Sequence, residues 1–600
     1  MIQIAGGPLP ALIGYYERLA ADPNQTVAEV GFSTAKIHFE VILEADGRLV
    51  ELADIREKND RGKAKAIPRS MLVPDAGGRG GTGFKPFFCW DNTGYALGCD
   101  NKGNPARAVE MFDAFRKLHL SFRDELADDQ GFRALCLFLE KWNPDQAESL
   151  PNWSDAVGMN VVFSMRGREG YVHKSEAVKA AWLRRLAAES AADGGVSGFS
   201  LISGERDRIA RLHPLLSGVI GANTMGAALV SFNIPSFESY GKSQSYNAPV
   251  GEIDAFRYTT ALGRLLADSE RRVSIGDATV VFWSDRADAA EAEAASRLFF
   301  VDPLPKKNEP AEHGTTVNRL RAFLEAAKKG RLADEFGNPE APFYVLGLSP
   351  NSSRLSVRFW LSGTVRQFAE RLARHATDLE MVGARPDDPP LSIRGLIAEA
   401  MPKGMTSDSQ KKYVAQLAGD IARSVLGGLP YPQALLNAIV RRVRSDATIN
   451  HARAAMLKAY LIRNRRMEDV PVALDKDHPD EAYHLGRVFA ALEKTQEESS
   501  EGKLNSTIKD RYFSAASATP ASVFPRLLSL HQHHMNKIEN PGRRVNLEKL
   551  IGEICSHISR FPAHLPLEKQ GLFQIGYYHQ RQDFFTKKTE TENEKETTNV

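Results

Sequence analysis

One segment of the chain concentrates positive side chains at a spacing that suits binding to phosphate groups. Residues 440–466 contain eight Lys or Arg side chains and a single acid, which gives a local charge of +7. The apolar residues recur every three or four positions, and this spacing predicts a helix with one buried face. Its cations, including Arg441, Arg444, Arg453 and Lys458, would then form an outward basic face that follows a nucleic-acid backbone. The alternative is an ordinary solvated helix face.

A glycine-rich segment offers a second way to hold a phosphate. Residues 76–83 contain five glycines in eight positions, with Arg79 inside the segment and Lys85 just after it. Because glycine lacks a Cβ atom, the backbone can approach a ligand closely here. Arg79 and Lys85 would then reach a phosphate or the edge of a groove together. The alternative, which composition alone favours, is a flexible surface loop.

A third segment interleaves aromatic, amide and cationic side chains. Residues 233–247 include Tyr240, Lys242, Gln244 and Asn247. Amide groups can pair with base edges, and aromatic rings can stack on bases. The alternative is a polar turn between a strand and a helix, and composition does not choose between the two interpretations.

Other motifs imitate enzymatic or metal sites without completing them. Residues 236–243 resemble a phosphate-binding loop, but a serine replaces the first glycine that lets the backbone wrap a phosphate. Residues 480–484 resemble a helicase acidic box but follow no apolar strand. His531 and His534 share a helix face without a carboxylate that would complete a metal site. No GxSxG elbow occurs, so we expect His213 to be structural and expect no catalytic residue, metal or cofactor.

Strands and helices in the first part of the chain must position the glycine-rich segment and residues 233–247. Period-two alternation predicts strands, and apolar residues at helical spacing predict helices. The predicted strands and hairpins lie at 36–43 and 48–52 around Asp46-Gly47, at 227–232, at 274–283 around Gly276-Asp277, at 343–348 and at 355–361. The predicted helices lie at 9–19, 106–142, 174–190 and 256–266. A proline-rich loop or hinge is expected at 299–312.

These patterns together predict an α+β protein with two main parts. We expect a large mixed body at 1–390, with antiparallel strands and helices, because strand patterns end near residue 390. One option is that this body divides into two subdomains near 300–345. Helical periodicity predicts a C-terminal helical bundle at 391–585. The polar residues 586–600 are expected to form a disordered tail.

Composition limits the class of protein. The 600 residues exceed the roughly 250–300 at which single cores stop growing, so at least two bodies are expected. Four cysteines without a CxxC pair argue against a disulfide framework and a four-cysteine zinc site. No secretory signal is recognisable at the start, and no apolar run reaches the ~18 residues that span a bilayer, so a cytoplasmic protein is expected. A net charge of +2 does not indicate nucleic-acid binding by itself, but it can hide local patches.

Many short stretches, in order along the chain, resemble one protein family. They are residues 85–92, 95–98, 209–214, 230–233, 237–242, 247–250, 258–262, 346–351, 354–358, 485–487, 510–512 and 576–580. With these residues the chain resembles the large subunit of the type I-C CRISPR Cascade effector, the Csd-one family (Cas-eight, subtype c). Two stretches depart from the family pattern. Phe199-Ser200 stands where a cysteine is expected before the Ser-Gly-Glu segment. Ser245-Tyr246 replaces a small, glycine-containing pair, which can change the shape of this loop.

The resemblance implies a non-enzymatic subunit of a guide-RNA complex that also contains backbone and RNA-processing subunits. Such a subunit reads a short protospacer-adjacent motif on duplex DNA, helps to open the duplex, holds the displaced strand and recruits a helicase–nuclease. The candidate residues at the motif are Arg79, Lys85, Asn92, Tyr240, Lys242, Gln244 and Asn247. The candidates along the displaced strand are Arg441, Arg444, Arg453 and Lys458.

The resemblance also implies a separate small subunit translated from an internal start within the same gene. Met467 is the favoured start and Met456 the second choice, so the bundle would resemble a small subunit from about residue 467. Two other classes of function remain as alternatives. One is a stand-alone metal-dependent nuclease, which would need clustered carboxylates. The other is a scaffold that makes no contact with DNA.

Overall fold

The protein is described by a computed structural model that covers most of the chain. The described residues are 6–25, 27–57, 66–75, 83–192, 194–286, 338–384, 393–401, 408–500 and 506–585, with short pieces between 322 and 332. They form two compact units. The N-terminal unit comprises Leu9–Ser217 and Asn223–Arg264. The C-terminal unit comprises Gly218–Ala222, the described residues from Leu265 onward and the described residues through Pro8. The glycine-rich segment through residue 82, the 299–312 loop and the 586–600 tail lie outside the described residues.

The first 267 residues contain eight strands and seven α-helices within the described part. The strands are β1 (Phe32–Ile37), β2 (Phe39–Leu43), β3 (Leu49–Asp54), β4 (Arg69–Pro74), β5 (Trp90–Asn92), β6 (Asn160–Met165), β7 (Ser197–Phe199) and β8 (Arg206–Arg208). The helices are α1 (Pro8–Ala21), α2 (Thr93–Ala96), α3 (Pro105–Leu120), α4 (Gln130–Lys141), α5 (Trp153–Ala156), α6 (Glu176–Ala192) and α7 (Glu252–Ala267). One four-stranded sheet has the order β3-β2-β6-β5, and β1–β4 and β7–β8 form two-stranded ribbons.

The predicted hairpin around Asp46-Gly47 is confirmed as β2 and β3, which pair antiparallel. Gly47 adopts a φ of 84°, and a Cβ atom there would lie 2.5 Å from the backbone nitrogen of Phe138. Glycine is therefore needed both for the turn and for the close approach of α4. Strand β2 also pairs with β6, and this pair is parallel. Buried aromatic residues such as Phe115 and Phe163 fill the core beside this sheet.

The prediction of a strand at 227–232 is wrong. Ala227 forms one isolated antiparallel bridge with Leu216, and residues 229–232 have no regular structure. A short apolar run cannot be assigned to a strand or a helix from periodicity alone. Among the described residues, this run pairs through an isolated bridge and not with a strand. The surrounding segments are held instead by single contacts, such as the bridge between Ile209 and Gly251.

The C-terminal unit contains an antiparallel sheet of order β12-β11-β10-β9. Its strands are β9 (Arg272–Ile275), β10 (Ala278–Trp283), β11 (Pro342–Asn351) and β12 (Arg354–Thr364), so the predicted hairpin at Gly276-Asp277 and the two later strands are confirmed. The helices that follow are α8 (Val365–Asp378), α9 (Ile393–Ala400), α10 (Asp408–Gly427), α11 (Gln433–Asp446), α12 (His451–Arg465), α13 (Glu481–Ser499), α14 (Ile508–Ala518), α15 (Pro520–Met535), α16 (Pro541–Ser556) and α17 (Leu567–Asp583).

The sheet and the helices of the C-terminal unit share one hydrophobic core. Val280 and Phe343 on the sheet belong to the same buried cluster as Phe489 on α13 and Phe573 on α17. The boundary predicted at residue 390 therefore falls inside this unit, although the α+β class is confirmed. In the part of the chain that the structure describes, no helix is long and apolar enough to cross a membrane.

Candidate nucleic-acid interface

Tyr240 lies at the tip of a tight turn in an irregular segment, residues 234–247, called the Tyr240 loop here. Ser239 and Lys242 form an antiparallel bridge, and the Lys242 N–H donates to the Ser239 carbonyl at 3.0 Å. The φ angles of Tyr240 and Gly241 are 54° and 68°, as in a two-residue type I′ turn. The Tyr240 side chain is 98% exposed. A bulky residue in the left-handed region costs about 1–3 kcal/mol, and this one buries nothing in return.

Asn247 fixes the two ends of the turn. Its Oδ1 accepts a hydrogen bond from the Ser239 N–H at 2.8 Å. Its Nδ2 donates to the carbonyls of Lys242 and Gln244, both at 2.8 Å. These bonds use both amide donors and the amide oxygen. The structure therefore gives Asn247 a positioning role inside the loop, whereas the sequence had suggested an amide available to a base.

Gln244 is also used within the loop. Its Oε1 accepts from the Arg211 guanidinium at 2.7 Å, and its backbone N–H donates to Glu238 Oε1 at 3.2 Å. The Ser245 N–H donates to the Arg211 carbonyl at 3.3 Å. Arg211 is exposed and is brought beside the turn by these bonds. The sequence interpretation missed this cation, although Arg211 belongs to one of the stretches that carry the family resemblance.

The loop therefore displays a fixed constellation at its surface. Tyr240 and Lys242 project from the turn, and Arg211 supports it through Gln244. The cations can attract phosphate oxygens, and the exposed ring offers a stacking surface for a base. Because the backbone is tied by several hydrogen bonds, little ordering entropy remains to be lost on binding.

The other motif-region candidates occupy different surroundings. Lys85 is exposed, and the neighbouring Phe84 ring lies 5.2 Å from the Arg107 guanidinium carbon. Asn92 caps helix α2, because its Oδ1 accepts from the Gly94 N–H at 3.0 Å. Within the described residues, neither Lys85 nor Asn92 hydrogen-bonds to the Tyr240 loop. Arg79 lies outside the described residues, so its role stays a prediction.

Two of the four displaced-strand candidates lie at the surface on helix α11. Arg441 and Arg444 are exposed one turn apart, and Arg444 Nε donates to Ser514 Oγ of helix α14 at 3.0 Å. Arg511 is exposed on α14, one turn before Ser514. Among the described residues, none of the three arginines forms an ion pair. We call Arg441, Arg444 and Arg511 the α11–α14 basic surface.

The other two candidates, on helix α12, are buried, which corrects the expectation of a continuous outward basic face. Arg453 is 4% exposed, and its guanidinium bonds to Asp446 at 2.9 Å and to Glu399 at 3.2 Å. Lys458 is buried, and its ammonium donates to the Asp378 carbonyl at 2.9 Å. Burial lowers the pKa of Lys458. Neither side chain is available to a DNA strand.

A third cation of α12, Arg463, is also buried by contacts with other elements. The Arg463 guanidinium contacts Asp378 Oδ2 at 2.5 Å and lies 4.4 Å from the centre of the Tyr431 ring. Asp378 ends helix α8, so one helix end supplies both a carboxylate for Arg463 and a carbonyl for Lys458. Cations near a helix C-terminus are favoured by the helix dipole. Tertiary structure therefore uses these charges for packing.

Three of the sequence features that resemble enzyme or metal sites have defined surroundings in the structure. The Nδ1 atom of His213 lies 2.6 Å from the Tyr258 hydroxyl oxygen, and burial lowers the pKa of His213 to about 4. His531 is buried on helix α15. Lys242 lies in the bridge that closes the turn, and only a four-residue 3-10 helix, Gln244–Asn247, follows it, whereas the lysine of a phosphate loop lies at the start of an α-helix. Among the described residues, no group of three or more His, Cys, Asp or Glu could hold a metal ion.

A family model described as CRISPR-associated protein (Cas_Csd1) matches residues 12–585. The match spans nearly the whole chain and includes both the Tyr240 loop and the α11–α14 basic surface. A search of curated proteins finds no match. The family assignment therefore rests on the family model, and it agrees with the resemblance seen in the sequence.

Proposed function

The chain belongs to the CRISPR-associated Csd1 family, and from this premise we propose that it is the non-catalytic large subunit of a type I-C Cascade complex. It assembles in the cytoplasm with guide RNA and with backbone and RNA-processing subunits. It recognises the protospacer-adjacent motif on duplex DNA, promotes duplex opening and R-loop formation, and holds the displaced strand. It then helps to recruit the helicase–nuclease in antiviral defence.

The observation that carries this proposal is the Tyr240 loop. This 98% exposed tyrosine on a strained but firmly tied turn buries almost none of its surface against the described residues, so its ring is available to a ligand. Arg211 and Lys242 supply the charge that a DNA backbone requires, while the ring can stack on a base. Replacing DNA–DNA base pairs by guide RNA–DNA base pairs changes the free energy of pairing little. Stacking worth about 1–3 kcal/mol per base is therefore enough to favour opening.

The segment around Lys85 is a second contact with the motif duplex in this proposal. Lys85 is exposed and directly follows the glycine-rich segment that contains Arg79. Arg107, whose guanidinium lies over Phe84, adds a further cation beside it. Contacts of this kind position the duplex by its phosphates, whereas base-edge contacts supply specificity.

The α11–α14 basic surface is the part of the chain proposed to hold the displaced strand. Arg441, Arg444 and Arg511 are exposed and lack acidic partners among the described residues. Each phosphate that such a cation neutralises releases counterions, so affinity should fall as salt rises. This proposed surface includes Arg511 and excludes Arg453 and Lys458, because those two side chains are buried.

A small subunit made from an internal start is part of the same proposal. Met467 lies two residues after the end of helix α12 at Arg465, and it precedes α13. Translation from Met467 would therefore keep α13–α17 intact, whereas a start at Met456 would cut through α12. Mass spectrometry of the purified complex should detect a fragment that begins at Met467. Absence of a fragment beginning at either methionine would contradict this part of the proposal.

Binding of the assembled complex to DNA tests the proposed function. We expect a guide-matched duplex with the adjacent motif to bind at least tenfold more tightly than one without it, since each mismatched base pair in a site typically costs about 1–3 kcal/mol. Equal affinity for both duplexes would contradict motif recognition. The purified chain should not cut labelled duplex with Mg²⁺ or Mn²⁺ in the absence of the helicase–nuclease. Robust cleavage by the chain alone would contradict the non-catalytic assignment.

A further inference from the structure

The outer face of helix α15 carries polar and cationic side chains. Arg526, Ser529 and His533 are exposed and recur at positions i, i+3 and i+7, so they lie on one side of the helix. Lys537 is also exposed and follows two residues after the helix ends. We call these four side chains the α15 row. From its first residue to its last, the row spans about 16 Å at 1.5 Å per residue.

Acidic residues are absent from a long stretch around this row. Residues 511–538 contain no Asp or Glu, although 75 of the 600 residues in the chain are acidic. Among the described residues, neither Arg526 nor Lys537 forms an ion pair. Asp510, just before the stretch, accepts a hydrogen bond from the Thr507 N–H at 2.8 Å. The described part of the chain therefore leaves the two cations of the row without an acidic partner.

The α15 row adjoins the α11–α14 basic surface. Helices α14 and α15 are joined by the single residue Thr519, and they pack against each other. The Arg526 guanidinium carbon lies 5.8 Å from the centre of the Tyr512 ring on α14, and Tyr512 directly follows Arg511 of the basic surface. A strand bound at the basic surface therefore meets further positive charge on α15.

The chemistry of the row suits a polyanion and not an apolar protein partner. Within residues 511–538, all of which the structure describes, no large hydrophobic side chain is exposed. Protein interfaces, in contrast, are usually anchored by aromatic or other large side chains in well-packed pockets. Hydroxyl, imidazole, ammonium and guanidinium groups all donate hydrogen bonds to phosphate oxygens. A row of such donors follows the backbone of a single strand without reading its sequence.

We propose that the α15 row binds the phosphates of the displaced single DNA strand and extends its path beyond the α11–α14 basic surface. This inference rests on the proposed function, which supplies the displaced strand. Arg526 and Lys537 bind phosphate oxygens, and Ser529 and His533 donate hydrogen bonds between them. Tyr512 is a positioning residue, because its ring holds the Arg526 guanidinium in place by a cation–π contact.

The test compares Arg526→Ala/Lys537→Ala with a matched control that also removes two exposed cations, Arg423→Ala/Arg543→Ala. Each control arginine is paired with an acid, Arg423 with Asp420 at 3.2 Å and Arg543 with Glu498 at 3.0 Å. Assembled complexes bind two targets at several salt concentrations. One target is a guide-matched duplex with the motif, and the other is the same target without the displaced strand beyond the motif.

The slope of log affinity against log salt is the quantity to compare. On the full duplex, Arg526→Ala/Lys537→Ala should reduce the slope by about 1.4–2, because each phosphate contact that is lost reduces it by about 0.7–1. The control should keep the wild-type slope. On the target without the displaced strand, the wild-type and both variant complexes should give the same slope.

Two substitutions test the positioning role of Tyr512. Tyr512→Leu should reduce the slope by up to about 1 in the otherwise wild-type chain and should cause no further change in Arg526→Ala. Tyr512→Phe keeps the ring and should keep the slope. A further decrease when Tyr512→Leu is added to Arg526→Ala would contradict action through Arg526.

The remaining outcomes separate this inference from the proposed function. An unchanged slope on the full duplex would overturn the α15 row as a binding site. An equal decrease on both targets would also overturn it, because the row would then contact the guide RNA or the target strand. A smaller fraction of assembled complex in native mass spectrometry would assign the row to a protein partner and overturn it as well. Equal affinity of the wild-type complex for duplexes with and without the motif would contradict the proposed function alone, and the comparison of the two targets would still decide this inference.

Discussion

The Tyr240 loop and helix α12 both carry cations, but the loop holds Lys242 at the surface, whereas the helix buries Arg453, Lys458 and Arg463. Lys242 is exposed on a loop tied by hydrogen bonds of its own backbone and amides, and the exposed Arg211 is bonded to that loop through Gln244. Arg453 and Arg463 are enclosed with acids supplied by other elements. Positive charge in a sequence therefore indicates a ligand site only where the fold leaves the cation at the surface without an acidic side chain as a partner.

The largest expected effect concerns the buried cations of α12. Arg463→Ala should lower the free energy of unfolding by about 3–5 kcal/mol, because it leaves the buried Asp378 carboxylate unpaired. Urea denaturation of the isolated chain measures the change. Lys242→Ala, the exposed control, should change stability by about 0.5 kcal/mol or less. A double variant Arg463→Met/Asp378→Asn should recover much of the loss, since no unpaired charge remains. Similar losses of stability in Arg463→Ala and Lys242→Ala would contradict the distinction between buried and exposed cations.

The next effect concerns the exposed ring of the loop. Tyr240→Asn should weaken binding of the assembled complex to motif-bearing duplex by roughly tenfold to a hundredfold, because stacking is worth about 1–3 kcal/mol per base. Thermal stability should stay the same or rise, since Asn-Gly is the preferred pair for a type I′ turn. Tyr240→Phe keeps the ring and should keep the affinity. Loss of affinity together with a lower melting temperature would point to a structural role for the ring.

A smaller and more uniform effect is expected at the α11–α14 basic surface. Arg441→Ala, Arg444→Ala and Arg511→Ala should each reduce the slope of log affinity against log salt by about 1. The matched control is Arg465→Ala, because this exposed arginine of α12 is paired with Glu568. Affinities of the assembled complex at several salt concentrations measure the slopes. An unchanged slope in all three variants would exclude this surface from the path of the displaced strand.

The smallest effect is a dependence of stability on pH. Burial lowers the pKa of His213 to about 4 and that of His375 to about 3, from an ordinary value of 6.5. The unfolded chain therefore binds more protons below pH 6.5, and the stability present above that pH is lost as pH falls toward 4. His213→Gln should reduce this acid sensitivity. The Tyr240 loop contains no histidine, so motif affinity should stay constant over the range below pH 6.5 in which stability falls but the chain is still folded. Parallel falls in affinity and stability there would contradict this separation.

Local patterns predicted much of the fold. The hairpins at Asp46-Gly47 and Gly276-Asp277 follow from turn residues between alternating strands, and the helical C-terminal part follows from 3.6-residue periodicity. Non-local packing could not be predicted in this way. A Cβ atom at Gly486 of α13 would collide with the Phe573 carbonyl of α17, and one at Gly576 would collide with the Tyr483 carbonyl. These two glycines allow close packing of helices that are distant in the sequence.

The candidate site could be predicted only in part, because contacts between residues distant in the sequence also decide which of its side chains are exposed. The types of residue in the Tyr240 loop were visible in the sequence, but Tyr-Gly is not the usual pair for a type I′ turn, so the exposed tip was not predicted. Asp378 and Arg463 are 85 residues apart, and nothing local shows that they form an ion pair. The prediction made from the basic segment therefore overstated the exposed charge of α12. It also missed Arg511, which lies on a later helix.

The most direct test of the account asks whether the Tyr240 ring helps to open DNA. Assembled complexes with wild-type chain or Tyr240→Asn are compared on a matched duplex and on one whose first base pairs beside the motif are mismatched. We expect the Tyr240→Asn complex to lose about tenfold or more in affinity on the matched duplex. On the mismatched duplex its affinity should recover almost completely, because opening no longer needs the ring. Equal affinity of the two complexes on the matched duplex, or an equal defect on both duplexes, would contradict the account.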